Sequence, residues 1–200
     1  MATAISIRDA VLSCRPDKVA SGLATVSADT PAPPRSFARM LAPFAFVTAP
    51  VLAVDQWSKL YVRLHFHLYQ SRPIVPGWLD LTYTLNPGAA FSLFATMPHG
   101  FRSVFFIALS AVATVVLLAL MFRRTTTTSH SVAFALILAG TIGNLIDRIA
   151  RGLVIDFIYF HHASFSYPVF NVADSAITIG VALILLLSWL DSSTDPPSPQ

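Results

Sequence analysis

Residues 101–122 read FRSVFFIALSAVATVVLLALMF, and beyond Arg102 this stretch carries no charge. As a helix rising about 1.5 Å per residue, a run of this length crosses about 30 Å of hydrocarbon. Three more apolar stretches are close to that length. Residues 40–61 are interrupted by Pro50 and carry Asp55, 131–149 hold Asn144 and Asp147 near their end, and 169–190 hold Asn171 and Asp174 near their start. The pattern predicts a membrane all-α protein with four transmembrane helices.

Composition agrees. Of 200 residues, 54% are hydrophobic and 12% charged, against about 25% charged in soluble domains. Mean hydropathy is +0.64. The length suits one compact unit without a second large domain. The net charge of +3 is not gathered into a patch. Basic residues stand singly or in pairs beside the apolar runs, as membrane anchors do, and no nucleic-acid partner is expected. Cys14 is the single cysteine, which excludes an intrachain disulfide or a cysteine metal cluster. Val11 to Cys14 has the look of a lipobox, but the ten preceding residues include Arg8 and Asp9 and supply no apolar segment.

Residues 1–36 are rich in Ala, Ser, Thr and Pro and read as a disordered tail, as do residues 192–200. Residues 37–191 then form the four-helix membrane domain. Arg35 and Arg39 precede the first span and Arg123 and Arg124 follow the second. If those ends are cytoplasmic, both termini are inside, and the loops 62–100 and 150–168 face outward. In the first loop, residues 74–93 mix β-branched and aromatic side chains with Pro-Gly turns at 76–77 and 87–88. They predict short strands or a hairpin at the membrane surface. Trp57, Trp78, Tyr83 and Trp189 are candidates for the interfacial belts.

All ten acidic residues are aspartates. A carboxylate in the membrane costs about 2.5–3.5 kcal/mol on insertion scales, so each one there asks for a reason. In this orientation Asp55, Asp147, Asp156 and Asp174 converge on the outer edge. Asn144, Asp147 and Arg148 stand at i, i+3 and i+4, predicting one shared helix face with Arg148 holding Asp147 ionised. The plain reading of that pair is a structural ion pair. Asp174, with Asn171 three residues earlier, also suits a helix N-terminus on electrostatic grounds alone. Asp156 is framed by Val154, Ile155, Phe157 and Ile158. Such framing raises a carboxyl pKa, and Asp174 beside it would raise one of the two further. Two carboxyls sharing a proton are the working group of aspartic proteases.

His161 and His162 raise the question of metal, but adjacent loop histidines are ordinarily solvated and no HExxH spacing is present. Ser58 and Ser175 lack a paired base at recognisable spacing. An ion-coupled transporter would also gather membrane carboxylates, yet the two halves show no similarity of the kind repeats leave. A non-catalytic subunit would have no use for the acid pair.

Four ordered blocks carry a resemblance. They are Asp55-Gln-Trp-Ser-Lys59, Asn86-Pro-Gly-Ala-Ala-Phe91, Gly143-Asn-Leu-Ile-Asp-Arg148 with Val154-Ile-Asp-Phe157, and Phe170-Asn-Val-Ala-Asp-Ser-Ala176. In these the chain resembles the signal peptidase II family, the lipoprotein signal peptidases of bacteria. The resemblance implies Asp156 and Asp174 as the catalytic pair, with Asp55, Asn86, Asn144, Asp147, Arg148 and Asn171 as a supporting or substrate-binding shell. Gly88 would let backbone approach the substrate, and Ala89 and Ala90 would keep that surface open. It implies a small extracytoplasmic β-cradle over 74–93, no metal and no cofactor. The expected partners are membrane lipids and a prolipoprotein bearing diacylglycerol on its lipobox cysteine, cleaved on the N-terminal side of that cysteine. The expected setting is a monomer in the bacterial inner membrane. Pro87 and Thr141 depart from common family residues, and the forty-residue N-terminal extension is long for the family.

Overall fold

The computed structural model describes residues 41–88, 98–123 and 126–192. The expectations for both tails, for Arg35, Arg39 and Arg124, and for Ala89 and Ala90 lie outside them. Among the described residues there are four long helices. Helix α1 is Ala49–His65, α2 is His99–Met121, α3 is Thr128–Arg151 and α4 is Val172–Ser192. A π-helical turn at Phe44–Thr48 leads into α1, so Pro50, which has no N–H to donate, falls where the π-helical ladder gives way to the α-helical one. Three of the helices, α2, α3 and α4, are long and apolar enough to cross a membrane. With the small sheet described below, this is the build of a membrane protein.

The helices differ in how they meet their surroundings. Val104, Val112 and Val115 on α2 and Leu185 and Leu186 on α4 are exposed, an arrangement suited to lipid rather than water. Helix α3 is the central element, with Ala133, Ala135, Leu138, Ala139 and Asn144 buried. It packs on α4 through small residues. A Cβ on Gly180 would lie 2.6 Å from Ile137 Cγ1, and one on Gly140 would run into the Ala173 carbonyl. Small residues allow helices to meet closely where lipid removes the hydrophobic drive between them. Thr127 caps α3, its hydroxyl accepting from the His130 N–H at 3.3 Å. Gly152 ends it at φ 73°, its N–H bonded to the Arg148 carbonyl at 2.8 Å.

Between the helices lies a four-stranded antiparallel sheet in the order β1-β2-β3-β4. Its strands are Ser71–Val75, Leu79–Asn86, Val154–His162 and Phe165–Ser166. The expected strand region thus begins three residues earlier than the sequence reading set it. The second loop, read only as a loop, supplies β3 and β4. Residues Val62 and Phe66 at the end of α1 and Ile155 and Phe157 of β3 form a buried cluster, with Leu81, Tyr83 and Leu85 of β2 against it. Burying such a side chain is worth roughly 1.5–3 kcal/mol against water, so the cluster seats the sheet on the bundle. It also draws Tyr83 inward to pack there, whereas Trp57 and Trp189 remain exposed.

Candidate active site

The site is built where α3, β3 and the start of α4 come together. Only Gly152 and Leu153 separate α3 from β3, and Asp147 Oδ2 accepts the Ile155 N–H at 3.3 Å, tying the strand back to the helix. Asp156 follows on β3, opposite Thr84 of β2. Asn86, at the end of β2, donates from Nδ2 to Asp156 Oδ2 at 2.9 Å, while Asn171 Nδ2 donates to Oδ1 at 2.6 Å. Asp156 is 2% exposed. Burial, and then the charge of Asp174, push its carboxyl up to about 7, against the downward pull of the two amide hydrogen bonds and of Lys59.

Asn171 and Asp174 form a reciprocal cap at the start of α4. The Asp174 N–H donates to Asn171 Oδ1 at 2.9 Å, and the Asn171 N–H donates to Asp174 Oδ2 at 3.3 Å. The local sequence Asn-Val-Ala-Asp therefore starts the helix and aims the carboxylate at once. Asp174 Oδ1 accepts from Asn144 Nδ2 at 2.8 Å. One asparagine, Asn171, touches both aspartates, and a second, Asn144, receives its amide hydrogen bond at 3.2 Å.

Behind these groups lies a buried charge network. Asp55 on α1 accepts the Ala173 N–H through Oδ1 at 2.8 Å, which caps α4 from a neighbouring helix. Its Oδ2 pairs with Lys59 at 2.9 Å. Lys59 also pairs with Asp147 Oδ2 at 3.0 Å and donates to Asn144 Oδ1 at 2.9 Å. Asp147 takes Arg151 on its other oxygen. Asp55, Asp147 and Lys59 are each at most 1% exposed. Two carboxylates set against two cationic side chains limit the cost of keeping charge out of water.

Asp55, Asn86, Asn144, Asp147, Asp156, Asn171 and Asp174 are thus brought into one connected set. Two expectations are corrected. Arg148 does not hold Asp147; that carboxylate pairs with Arg151 and Lys59. Nor does Arg148 share its face. Adjacent helical residues point about 100° apart, while residues four apart align. Arg148 instead turns to α2, lying over the Phe106 ring at 5.4 Å from its centroid and donating to Ser110 Oγ at 3.4 Å. Sequence reasoning paired neither Lys59 nor Arg151 with an aspartate. The i, i+4 spacing of Asp55 with Lys59 and of Asp147 with Arg151 was the available signal. His161 stacks on Tyr159 and lies 3.4 Å from Asp80, and His162 stacks on Trp78.

Two clefts open at Asp174. One, of about 380 Å³, is walled by Phe160, Tyr167, Phe170, Ser175, Thr178 and Ile179. The other, of about 350 Å³, takes in Asn86, Gly88, Arg148, Val169 and Ile177. Tyr167, Phe170 and Thr178 border both. Gly88 has φ 121°, and a Cβ there would strike the Phe106 ring, so the backbone at this rim is open only to glycine. A half-buried carboxyl that opens on clefts large enough for a chain segment, coupled electrostatically to a buried one behind it, can activate water against a carbonyl.

Comparison with known proteins points one way. A family model described as signal peptidase (SPase) II matches residues 47–190. A lipoprotein signal peptidase of Syntrophus aciditrophicus is 40% identical over 144 residues, covering 72% of this chain and 89% of the relative. One from Yersinia enterocolitica is 45% identical over 141 residues, covering 70% and 82%. A bacterial membrane enzyme solved by the in meso method at 2.3 Å resolution superposes with a TM-score of 0.70 at 27% identity, over 84% of this chain and 97% of that one. On the matched family model and the identity of these relatives over most of their length, the chain belongs to the signal peptidase II family.

Proposed function

We propose that this chain is a membrane aspartyl endopeptidase that removes the signal peptide from diacylglyceryl-modified prolipoproteins, cutting on the N-terminal side of the lipidated cysteine. The observation that carries the reading is the Asp156–Asp174 pair, held by Asn171, with Asp174 opening on both clefts. Asp156, with its carboxyl pushed up to about 7, holds the shared proton. Asp174 takes a proton from water as that water attacks the scissile carbonyl, and Asp156 gives its proton to the carbonyl oxygen. When the C–N bond breaks, the amine takes the proton from Asp174, and the collapsing diol returns one to Asp156. The pair is then restored. Asn86, Asn144 and Asn171 fix the carboxyls. Asp55 and Asp147 hold the helices that carry them, while Arg148 and Gly88 line the cleft toward the substrate backbone.

In this reading the bundle has four spans. Helix α1, at 17 residues, and the five-residue π-turn before it together reach the length a span requires. Both termini face the cytoplasm, residues 37–191 are the catalytic domain between two tails, and the sheet lies at the outer leaflet of the bacterial inner membrane. The chain acts as a monomer amid membrane lipids and uses no metal or cofactor. The lipid anchor of the substrate brings the scissile bond to the membrane edge, where the two aspartates converge. Mass spectrometry of products from a diacylglyceryl-modified prolipoprotein and its unlipidated counterpart tests this. The reading predicts a new N-terminus at the lipidated cysteine and no cleavage of the unlipidated chain. Cleavage at another bond, or indifference to the lipid, contradicts it.

A further inference from the structure

We infer that Lys59 is a positioning residue for the aspartate pair: its buried ammonium holds Asn144 in the amide orientation that turns Nδ2 toward Asp174. The inference rests on the Asp156–Asp174 reading above. An ammonium has three N–H donors and no acceptor. Lys59, 1% exposed, meets three oxygens, Asp55 Oδ2 at 2.9 Å, Asn144 Oδ1 at 2.9 Å and Asp147 Oδ2 at 3.0 Å. All three of its protons are thereby directed, and the Asn144 contact fixes which end of that amide faces α1.

The consequence is carried across the bundle. With Oδ1 committed to Lys59 and to Asn171 Nδ2 at 3.2 Å, Asn144 Nδ2 is left to donate to Asp174 Oδ1 at 2.8 Å. Turned over, the amide would set its NH₂ against the ammonium and its oxygen against the carboxylate, repulsive at both ends. A hydrogen-bonded line thus runs from Lys59 on α1 through Asn144 on α3 to Asp174 on α4. Lys59 borders neither cleft, so it acts through Asn144 and not on substrate. Its charge also draws the Asp156 carboxyl downward, opposing burial and Asp174. The other charged groups around the site are Asp55 on α1 and Asp147, Arg148 and Arg151 on α3.

Lys59→Met alone would strand the buried Asp55 carboxylate, while Asp147 would keep Arg151. The test therefore combines Lys59→Met with Asp55→Asn, whose amide oxygen can still accept the Ala173 N–H. Full-length protein in proteoliposomes is assayed on a diacylglyceryl-modified prolipoprotein, with turnover expressed per folded molecule across pH. The expected result is a roughly tenfold to hundredfold lower kcat, KM little changed, and an alkaline limb displaced to higher pH. Unchanged kcat, or a lower kcat with the alkaline limb unmoved, would overturn the inference, because a purely structural loss does not move the limb. If the double variant does not fold, Asn144→Asp decides. It keeps an acceptor for Lys59 and removes the donor to Asp174, so wild-type turnover there also overturns the inference. Asp156→Asn and Asp174→Asn are run alongside. Activity in either would remove the aspartate reading itself, whereas inactivity of both beside a normal Lys59 variant would remove only the role of Lys59.

Discussion

Replacing Gly143 by alanine sets a methyl group into the space that the Asp55 carboxylate occupies. A Cβ at this position would lie 2.5 Å from Asp55 Oδ2 and 3.4 Å from Ala173 Cβ. The first contact is well inside van der Waals distance, and Asp55 has little room to yield. Its Oδ1 caps the Ala173 N–H at 2.8 Å and its Oδ2 pairs with Lys59 at 2.9 Å. Alanine gains about 1 kcal/mol in helix propensity over glycine. Against this, a charge-assisted hydrogen bond is worth about 1.5–3 kcal/mol, and overpacking costs about 1–3 kcal/mol. The net expectation is a loss of roughly 3 kcal/mol, with the start of α4, and hence Asp174, displaced. Unfolding of the purified protein by SDS titration in mixed micelles measures it. Gly100→Ala is the control, because nothing lies within 4 Å of a Cβ there. A Gly143→Ala protein as stable and active as wild type would refute the reasoning that Gly143 exists to admit Asp55.

Activity should fall as pH rises through about 7, where Asp156 loses its proton. Asn86→Ala should move that limb upward, because the Asn86 hydrogen bond lowers the Asp156 carboxyl; turnover against pH reads both. The folded state favours the protonated form of this raised acid, so its contribution to stability diminishes as pH rises from 3.8 toward about 7. Asn171→Ala removes the helix cap and the bond to Asp156, and should cost about 1 kcal/mol of stability together with most of the turnover, measured by SDS titration and product formation. Gly88→Ala forces an unfavourable φ and a clash with Phe106. It should cost about 1–3 kcal/mol and raise KM, read from initial rates against substrate concentration.

Helices α2, α3 and α4 were legible because each is a run of apolar residues whose length alone answers to a bilayer. The strand signal at 74–93 was legible in its β-branched and aromatic content, but its partner was not. Val154–His162 pairs with β2 across some seventy residues of chain, and its short apolar core reads equally as buried strand or helix end. For the site, the convergence of Asp55, Asp147, Asp156 and Asp174 followed from span order. The pairing of Asp147 was misread because adjacency in sequence stood in for adjacency in space. Asp147 and Arg148 are neighbours in the chain, yet the helix turns one toward α1 and the other toward α2. Lys59 was hidden by its own chemistry. A lone lysine near a span end reads as a snorkelling anchor, and only the packing of α1 on α3 reveals three oxygens waiting for it.

The most direct test of the account is single-residue removal at the aspartate pair. Asp156→Asn and Asp174→Asn, each purified and verified as folded, are assayed with wild type on the same diacylglyceryl-modified prolipoprotein. The account predicts that either change abolishes release of the signal peptide while substrate binding persists. Turnover surviving in either folded variant would contradict an aspartyl mechanism at this pair.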